Sequence, residues 1–443
     1  MSRTRTDCQG FHRRDVLRIG VAGLLGMSLP DALRAEALGA PGPRGSRPAT
    51  GVIQIWLAGG PATIDMWDLK PSAPEEIRGE FRPIATSAPG VAICEHMPGL
   101  ATVMDRCTLV RSLGHSISAH GPGTIYMTTG NQPGPALEYP ATGALAARLL
   151  PPRDGVPPYI TFAALRDGVS ATGPGYLGPA FGPLELEGDP VQGTLESRGV
   201  SLPAGFAAGD LESREALRDR FNRGLRSLDS TDVMAGLDRF HRQAVEILLS
   251  DRVRTALDLS REPDARRDAY GRTMLGQGVL AARRLIEAGA RFVTLGFGGW
   301  DTHGNNFRAL RDRLLPPLDQ AISTLVRDLA SCGLLDETIV ICAGEFGRTP
   351  RVNSAAGRDH WARSMAVLLA GGGFPEGAVY GATDDRGTAP VRDACSPDDL
   401  AATLFRRLGF GPRHEVDSSS GRPIPIFREG RCLESLVDDA ISG

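Results

Sequence analysis

Short apolar runs recur along the chain, and most of them stop abruptly at glycine or at a charged residue. Runs of this length, bounded by turn residues, predict buried β-strands. They cover residues 51–58, 108–112, 157–162, 291–297, 338–343 and 365–370. Helices are predicted for the stretches between them, over residues 121–129, 211–288, 307–331 and 398–408. Strands that alternate with helices favour an α/β fold with a mostly parallel sheet.

Two segments depart from this simple alternation. Residues 173–209 are rich in glycine and proline and show no clear period, so we predict a long loop that acts as a lid or specificity element. With the helical stretch after it, this loop would form an insertion over about 170–288 within one domain of residues 50–435. In the helix over 307–331, Pro316 and Pro317 predict a bend, because proline lacks the N–H group that a helix needs.

Composition narrows the class of protein. The 443 residues are 41% hydrophobic and 23% charged, which is typical of a globular protein and excludes a disordered or collagen-like chain. A formal net charge of −3 argues against a nucleic-acid-binding protein, which usually carries a strong basic excess. None of the seven cysteines belongs to a CxxC pair, so a zinc ribbon is excluded.

The first 37 residues have the pattern of an export signal. Arg13 and Arg14 open a segment that resembles the twin-arginine motif, and the apolar stretch after it, residues 19–29, is too short to span a membrane, which takes about 20 residues. Residues 35–37, Ala-Glu-Ala, form a small-x-small cleavage site. We therefore predict export by the twin-arginine translocase to the periplasm or beyond, with no stable membrane span after cleavage. The alternative is an ordinary amphipathic first helix.

Polar residues collect where four of the predicted strands end. In an open parallel sheet such loops meet at one edge, which is where ligands bind. The residues are Asp65, Asp68 and Lys70 after the first strand, His115 and His120 after the second, Asp301, His303 and Asn305 after the strand over 291–297, and Glu345, Arg348, Asn353, Asp359 and His360 after the strand over 338–343. Lys70 is the only lysine of the chain, and asparagine is scarce, so both residue types indicate positions with a specific role.

This set of side chains predicts a metal site. Carboxylates mixed with imidazoles suit Zn, Mn or Fe, and suit Ca less well because it prefers oxygen ligands. Two such clusters can hold a pair of ions about 4 Å apart, the usual arrangement for phosphate-ester chemistry. Arg348 is a candidate for a bidentate clamp on an anion. Taken singly, Asp301 has the alternative role of a loop cap and His303 that of a hydrogen-bonded structural residue.

Five motifs together resemble domain-of-unknown-function family 1501, which is common among exported bacterial proteins and is itself similar to the alkaline phosphatase and sulfatase superfamily. They are GGPxxxDxWDxKP, HxxxxHGPGxxxMxTG, GWDTHGNN, GEFGRTP and GRDHW, and the resemblance covers nearly all of residues 50–430. It implies an alkaline phosphatase-like three-layer αβα sandwich with a mostly parallel central sheet, a helical insertion and metal ligands at the strand ends.

The resemblance also implies roles for individual residues. One or two divalent ions (Zn, Mn, Fe or Ca) would be bound by a set of five residues: Asp65, Asp301, His303, Glu345 and His360. The chain departs from the superfamily at Phe346, which replaces the histidine of an Asp-His dipeptide, and at the nucleophile. The position that holds the nucleophilic Cys or Ser in sulfatases is occupied here by His120. The nucleophile would then be a nearby hydroxyl group, of Ser116, Ser118 or Thr124, or His120 itself would act as nucleophile or as ligand.

The expected function is an exported, metal-dependent hydrolase of sulfate or phosphate esters, including those of carbohydrates. His120, Arg348 and Lys70 are the candidate catalytic residues, and His115, Asn305, Asn353 and Trp300 are the candidate substrate-binding residues. Trp67, Trp300 and Trp361 each flank a candidate site residue and are candidates for stacking on sugar rings, or for walls packed under the loops. The alternative is a non-catalytic, metal-containing protein that binds anionic glycans on the same scaffold.

Overall fold

The computed structural model of the protein describes residues 48–153, 155–162, 173–197 and 251–437. The predicted export signal and the part of the predicted insertion over 198–250 lie outside these residues. The strands are β1 (Gly51–Leu57), β2 (Pro83–Ala85), β3 (Ala92–Cys94), β4 (Cys107–Leu113), β5 (Tyr159–Phe162), β6 (Leu184–Glu187), β7 (Glu196–Ser197), β8 (Phe292–Phe297), β9 (Thr338–Ala343), β10 (Gly347–Arg348), β11 (His360–Trp361), β12 (Met365–Gly371), β13 (Ala378–Tyr380), β14 (Ala382–Thr383), β15 (Pro390–Arg392), β16 (Glu415–Asp417) and β17 (Pro423–Pro425). The α-helices are α1 (Glu75–Arg78), α2 (Pro98–Ala101), α3 (His120–Thr129), α4 (Thr142–Leu149), α5 (Asp251–Leu257), α6 (Asp264–Tyr270), α7 (Met274–Ala288), α8 (Asn306–Ala309), α9 (Leu315–Ser331) and α10 (Pro397–Arg407).

One nine-stranded sheet organises the described residues, in the order β13-β4-β12-β9-β1-β8-β5-β6-β7. Its neighbouring strands run parallel except at two places: β12 is antiparallel to both β4 and β9, and β7 is antiparallel to β6. Strand β1 lies in the middle, and all seven of its residues are buried. The mostly parallel sheet expected from the sequence is confirmed.

Helices cover both faces of this sheet. Successive side chains of a strand point to opposite faces, and in β1 Ile53 and Ile55 join one apolar cluster while Val52 and Trp56 join another. The first cluster includes the apolar sides of α7 and α9, and the second includes those of α4 and α10. Helices, sheet and helices therefore form the three-layer αβα sandwich that the resemblance implied.

The reversed direction of β12 matters for function. Its first residue, Met365, pairs with Leu113 at the carboxyl end of β4, so the segment that enters β12 lies at the edge where β4 ends. The loops that follow β1, β8 and β9 leave the sheet at this same edge, because those strands run parallel to one another. The segment that carries His360 is the connection from β9 to β12, and it thus lies beside the loops after β1 and β8, which are distant from it in the sequence.

One local expectation was wrong in part. The glycine- and proline-rich stretch from residue 173 contains β6 and β7, which extend the main sheet at its edge, so residues 184–187 and 196–197 are not loop. The helical stretch from residue 306 has a π turn over Leu310–Leu314, directly before Pro316 and Pro317, which occupy the first turn of α9. Proline is tolerated there because the first N–H groups of a helix have no partner within it. No helix within the described ranges is long and apolar enough to cross a bilayer.

Candidate metal centre

Three side chains from separate parts of the chain converge at the carboxyl edge of the sheet. Ligand atoms of His120, Asp301 and His360 all lie within 4.8 Å of one another. His120 is the first residue of α3, Asp301 lies in the loop after β8, and His360 begins β11. We call these three residues the metal cluster, because two imidazoles and one carboxylate form a typical ligand set for a transition metal.

Asp301 is at the middle of the cluster. Its Oδ1 lies 3.1 Å from Nε2 of His360 and 3.1 Å from Nε2 of His303. Its Oδ2 lies 3.3 Å from Nε2 of His120. The Nε2 atoms of His303 and His360 are themselves only 3.0 Å apart. Three imidazoles thus direct the same ring nitrogen, Nε2, towards one carboxylate.

The other ring nitrogen of each of these histidines faces an acceptor. Nδ1 lies 2.6 Å from Oε1 of Glu345 in His120, 2.8 Å from Oδ1 of Asp359 in His303, and 2.8 Å from the carbonyl oxygen of Ser118 in His360. Carbonyl and carboxylate oxygens accept hydrogen bonds, so Nδ1 of each ring is placed to donate. Nε2 of all three rings faces into the cluster while Nδ1 is held by an acceptor outside it, which is how histidine ligands of metals are oriented.

His115 has the opposite arrangement. Its Nε2 donates to the carbonyl oxygen of Glu345 at 2.8 Å, and its Nδ1 accepts from the backbone N–H of Ile117 at 3.2 Å. Both ring nitrogens are occupied by the backbone, and burial lowers the pKa of His115, which keeps the ring neutral. The prediction that His115 binds substrate does not fit these contacts, which give it a role in holding the loop.

Glu345 lies behind His120 rather than in the cluster. Its side chain is 0% exposed, and the Oε1 atom that contacts His120 also accepts from the backbone N–H of Gly59 at 2.9 Å. Gly59 has a φ of +122°, and a Cβ atom there would collide with the backbone N of Asp301. Only glycine lets the loops after β1, β8 and β9 approach so closely. The sequence-based expectation of Glu345 as a direct ligand is replaced by a contact through His120.

Arg348 is buried next to Asp301 and forms a hydrogen bond with its carboxylate. Its side chain is 0% exposed, and Nη2 donates to Oδ1 of Asp301 at 2.5 Å and to the carbonyl oxygen of Trp300 at 3.2 Å. Nε and Nη1 donate to the carbonyl oxygens of Gly60 and Arg358, at 2.7 and 3.0 Å. A guanidinium that is buried and engaged on every nitrogen has no free edge for a substrate anion, so the clamp expected from the sequence was wrong.

Arg348 instead sets the charge of the cluster. Burial alone would raise the pKa of Asp301, but the hydrogen bonds from Arg348 and His360 and the charge of Arg348 hold it well below its ordinary value. Burial lowers the pKa of His360, and its hydrogen bond with Asp301 opposes this shift. At neutral pH Asp301 is therefore an anion and His360 a neutral imidazole, which are the forms that bind metal.

Asp65 belongs to a different buried contact. Its two carboxylate oxygens accept from Nε and Nη2 of Arg358, each at 2.7 Å, and Asn306 adds a hydrogen bond at 2.8 Å. Both partners of this ion pair are almost fully buried, at 1% and 0% exposure. The pair joins the loop after β1 to the segment before β11. A carboxylate neutralised in this way is not placed to bind a metal, which disagrees with the ligand role implied for Asp65.

Three further candidates lie beside the cluster or away from it. Lys70 forms an ion pair with Asp68 at 3.0 Å, and no hydrogen bond or ion pair of the described residues connects it with the metal cluster, so a catalytic role is not supported. Asn353 donates to the carbonyl oxygen of His303 at 3.0 Å and to Asp359 at 3.3 Å, and therefore orders the loop. Asn305 is exposed, with a left-handed φ of 51° at the start of α8.

The tryptophans of these loops pack against neighbouring residues and do not line a substrate pocket. Trp67 and Trp300 are 0% exposed and lie in the apolar core, so the prediction that Trp300 contacts substrate was wrong. Trp361 is partly exposed, but its indole N–H donates to the carbonyl oxygen of Thr388 at 2.8 Å. Because Trp361 follows His360 in strand β11, the two side chains point to opposite faces. Stacking of sugar rings on these residues at the cluster is therefore unsupported.

Several residues of the centre were not assigned from the sequence. Asp359 and Arg358 directly precede His360 in the GRDHW motif, and Asn306 is one of the few asparagines, so a signal for each existed. Phe346 is fully buried, and its ring centroid lies 5.0 Å from that of His120 and 4.5 Å from that of His360. Only the fold could show that this ring forms the floor under both imidazoles.

Residues 49–437 match the family described as "Protein of unknown function (DUF1501)", and the chain belongs to this family. No curated protein matches the chain.

Three solved structures that are similar to this chain share very little of its sequence. Alkaline phosphatase from the Antarctic bacterium TAB5 is 11% identical, with a TM-score of 0.36 over 82% of this chain and 99% of that one. Phosphonate monoester hydrolase of Agrobacterium radiobacter is 12% identical, with a TM-score of 0.33 over 82% of this chain and 74% of that one. The lipoteichoic acid synthase from Listeria monocytogenes is 9% identical, with a TM-score of 0.33 over 88% and 77%. At these scores none of the three bears on the activity of this chain.

Proposed function

We propose that the protein is a metal-dependent hydrolase of phosphate or sulfate esters, carbohydrate esters among them, and that it is exported by the twin-arginine route. His120, Asp301 and His360 would hold one divalent ion. His303, Asp359, Glu345 and Arg348 would orient these ligands or the reacting groups.

The convergence of three Nε2 atoms on the Asp301 carboxylate carries this proposal. The Nε2 atoms of His303 and His360 are 3.0 Å apart, and that of His360 lies 3.1 Å from a carboxylate oxygen of Asp301, so loss of the Nε2 protons would leave nitrogen and oxygen lone pairs directed at one point, where a cation fits. The surrounding charges support a divalent cation, because the carboxylates of Asp301, Glu345 and Asp359 exceed the single guanidinium of Arg348 by two negative charges. A cation of charge two would balance the centre.

The donor atoms favour a borderline transition metal. Imidazole nitrogens and one carboxylate suit Zn, Mn or Fe, whereas Ca takes six to eight oxygen ligands, so Ca is the least favoured of the ions considered. Such an ion, when bound, supplies Lewis-acid polarisation of an ester oxygen and activation of water. These donors form one group within the described residues, which supports one ion rather than two.

The solvent side of the cluster is formed by His303 and Asp359. Their side chains are 48% and 54% exposed, and Asp359 fixes His303 through Nδ1. Nε2 of His303 is thus placed to accept a hydrogen bond, and then a proton, from a water molecule that enters the centre. We therefore assign His303 to proton transfer rather than to the ligand set. Arg348 keeps Asp301 ionised throughout.

The hydroxyl groups near α3 differ in access. Thr124 is 0% exposed, so it cannot reach a substrate, whereas Ser116 and Ser118 are exposed. Ser118 already contributes its carbonyl oxygen to His360. Within the described residues, neither serine hydroxyl forms a hydrogen bond with a histidine that could take its proton, and we propose attack by water rather than by a side-chain nucleophile.

The test is ester turnover by purified protein that has been stripped with a chelator and then reloaded with Zn, Mn or Fe. Aryl phosphate and aryl sulfate should be hydrolysed only after reloading, and His360→Ala should be inactive. His414→Ala removes an exposed histidine far along the chain from the cluster and is the matched control, with wild-type turnover expected. Full metal occupancy without turnover of either ester would instead favour the alternative of a metal-containing binding protein for anionic glycans.

A further inference from the structure

We propose that Glu345 is a positioning residue which, by fixing the tautomer of His120, sets the affinity of the metal cluster for its ion. This inference rests on the metal site of the proposed function and not on the reaction catalysed there. It assigns to Glu345 a larger effect than to Asp359, although both carboxylates contact the same ring nitrogen of a histidine.

The first reason is the difference in surroundings. The side chain of Glu345 is 0% exposed, and its Oε1 lies 2.6 Å from Nδ1 of His120. The side chain of Asp359 is 54% exposed, and its Oδ1 lies 2.8 Å from Nδ1 of His303. A charge-assisted hydrogen bond is stronger where water is excluded, because the local dielectric constant is lower. Water can also replace Asp359 as the acceptor, whereas water has no access to Nδ1 of His120 on the Glu345 side.

The second reason is that Glu345 is held in place on several sides. Its Oε1 accepts from the backbone N–H of Gly59 at 2.9 Å, and its carbonyl oxygen accepts from His115 at 2.8 Å. The next residue, Phe346, is packed against the ring of His120 with centroids 5.0 Å apart. Neither the carboxylate nor the imidazole can turn away, so the Nδ1–H form of His120 is fixed before any ion arrives. A preorganised ligand binds more tightly because little ordering remains to be done.

A consequence is a ranked response to substitution. Glu345→Gln keeps the shape and the acceptor for Gly59 but removes the charge, and we expect a loss of metal affinity of about 10- to 100-fold. Asp359→Asn should lower the affinity less than this, by under about 10-fold. Asp319→Asn is the matched control, because Asp319 is a buried carboxylate that accepts from two backbone N–H groups, of Gly99 and Leu100, and forms no hydrogen bond or ion pair with any histidine that the structure describes. It should leave the affinity unchanged.

The affinities are measured by competition of Zn with a chromophoric chelator, on full-length folded protein. A Glu345→Gln variant that binds Zn within twofold of the wild type would overturn the proposal. So would an Asp319→Asn variant that loses as much affinity as Glu345→Gln, since the effect would then be one of general stability. A larger loss from Asp359→Asn than from Glu345→Gln would contradict the ranking on which the inference depends.

A second measurement needs no variant that has to fold. Nitrogen-15 NMR of the metal-free wild-type protein with labelled histidine reports which ring nitrogen of His120 carries the proton. We expect Nδ1–H, and Nε2–H in the wild type would overturn the proposal. Correct tautomers and affinities without ester turnover would refute the hydrolase proposal alone, so the two failures are distinguishable.

Discussion

The ion pair between Asp65 and Arg358 allows a substitution that separates a structural role from metal binding. The two side chains are 1% and 0% exposed, and two hydrogen bonds of 2.7 Å join them. In Asp65→Asn the guanidinium of Arg358 stays buried without a counter-charge. Removal of one partner from a buried ion pair costs about 3–5 kcal/mol of the free energy of unfolding. For a protein of this size the thermal midpoint should fall by about 3–6 °C.

The metal content of the same variant is expected to stay normal, because Asp65 is bound to Arg358 and lies outside the metal cluster. The assay combines urea unfolding, followed by circular dichroism, with elemental analysis of the folded fraction. The double variant Asp65→Leu/Arg358→Met should recover only part of the lost stability, because it removes the unpaired charge but also the hydrogen bonds of Arg358 to the carbonyl oxygens of Thr349 and Ile77. A loss of stability below about 1 kcal/mol, or a folded Asp65→Asn protein without metal, would refute the structural role and restore Asp65 as a ligand.

Two further predictions concern the metal centre, and a third concerns the export motif of the sequence. Asp301→Ala and His360→Ala should abolish stoichiometric metal binding without unfolding the protein. His303→Ala should keep most of the metal but lose ester turnover. A normal metal content in Asp301→Ala and His360→Ala would exclude these residues as ligands. Burial lowers the pKa of both His115 and His360 from the ordinary 6.5. As the pH falls through this value, the unfolded chain therefore binds more protons than the folded protein. The metal-free protein should accordingly lose stability below about pH 6.5 and regain it above. Thermal unfolding at pH 7.5 and 5.5 measures this, and His115→Gln should make the two midpoints more alike; a metal-free protein that is more stable at pH 5.5 would contradict it. Replacement of Arg13 and Arg14 by lysine should leave the precursor uncleaved in the cytoplasm, which cell fractionation with immunoblotting tests, and a cleaved product outside the inner membrane would exclude the twin-arginine route.

The parts of the fold that could be predicted from the sequence are those with long, regular patterns. Strands β1, β8 and β9 are continuous apolar runs because both of their faces are covered, and the loops after them are marked by glycine and acidic residues. The short edge strands β6 and β7 were missed, because elements of four and two residues among glycines and prolines have no detectable period. The direction of β12 was also invisible, although it determines where His360 lies.

Within the site, the residue types indicated which chemistry the side chains could perform, but not which side chains are in contact. His120, Asp301 and His360 were all candidates from their loops, and the structure brings them together. Asp65 and Arg348 were given roles towards metal and substrate, and these roles failed because the partners that bury them come from other loops. Arg358, for example, lies 293 positions from Asp65 in the sequence. Pairing over such a distance follows from the topology of the sheet, which residue spacing does not encode.

The hydrogen-bonding roles of the histidine ring nitrogens could not be predicted from the sequence either. His115 and His120 are five residues apart in similar surroundings, yet one uses both ring nitrogens for backbone contacts and the other directs Nε2 into the cluster. The difference depends on Glu345, whose carbonyl oxygen contacts the first histidine and whose carboxylate contacts the second.

The location of a bound ion tests the central claim most directly. Crystals of the reloaded protein, with diffraction recorded on both sides of the absorption edge of the metal, should show one anomalous peak. It should lie at bonding distance, about 2.0–2.2 Å, from Nε2 of His120, Nε2 of His360 and the carboxylate of Asp301. A peak bound by Asp65, or no peak among these three residues at saturating metal, would contradict the account.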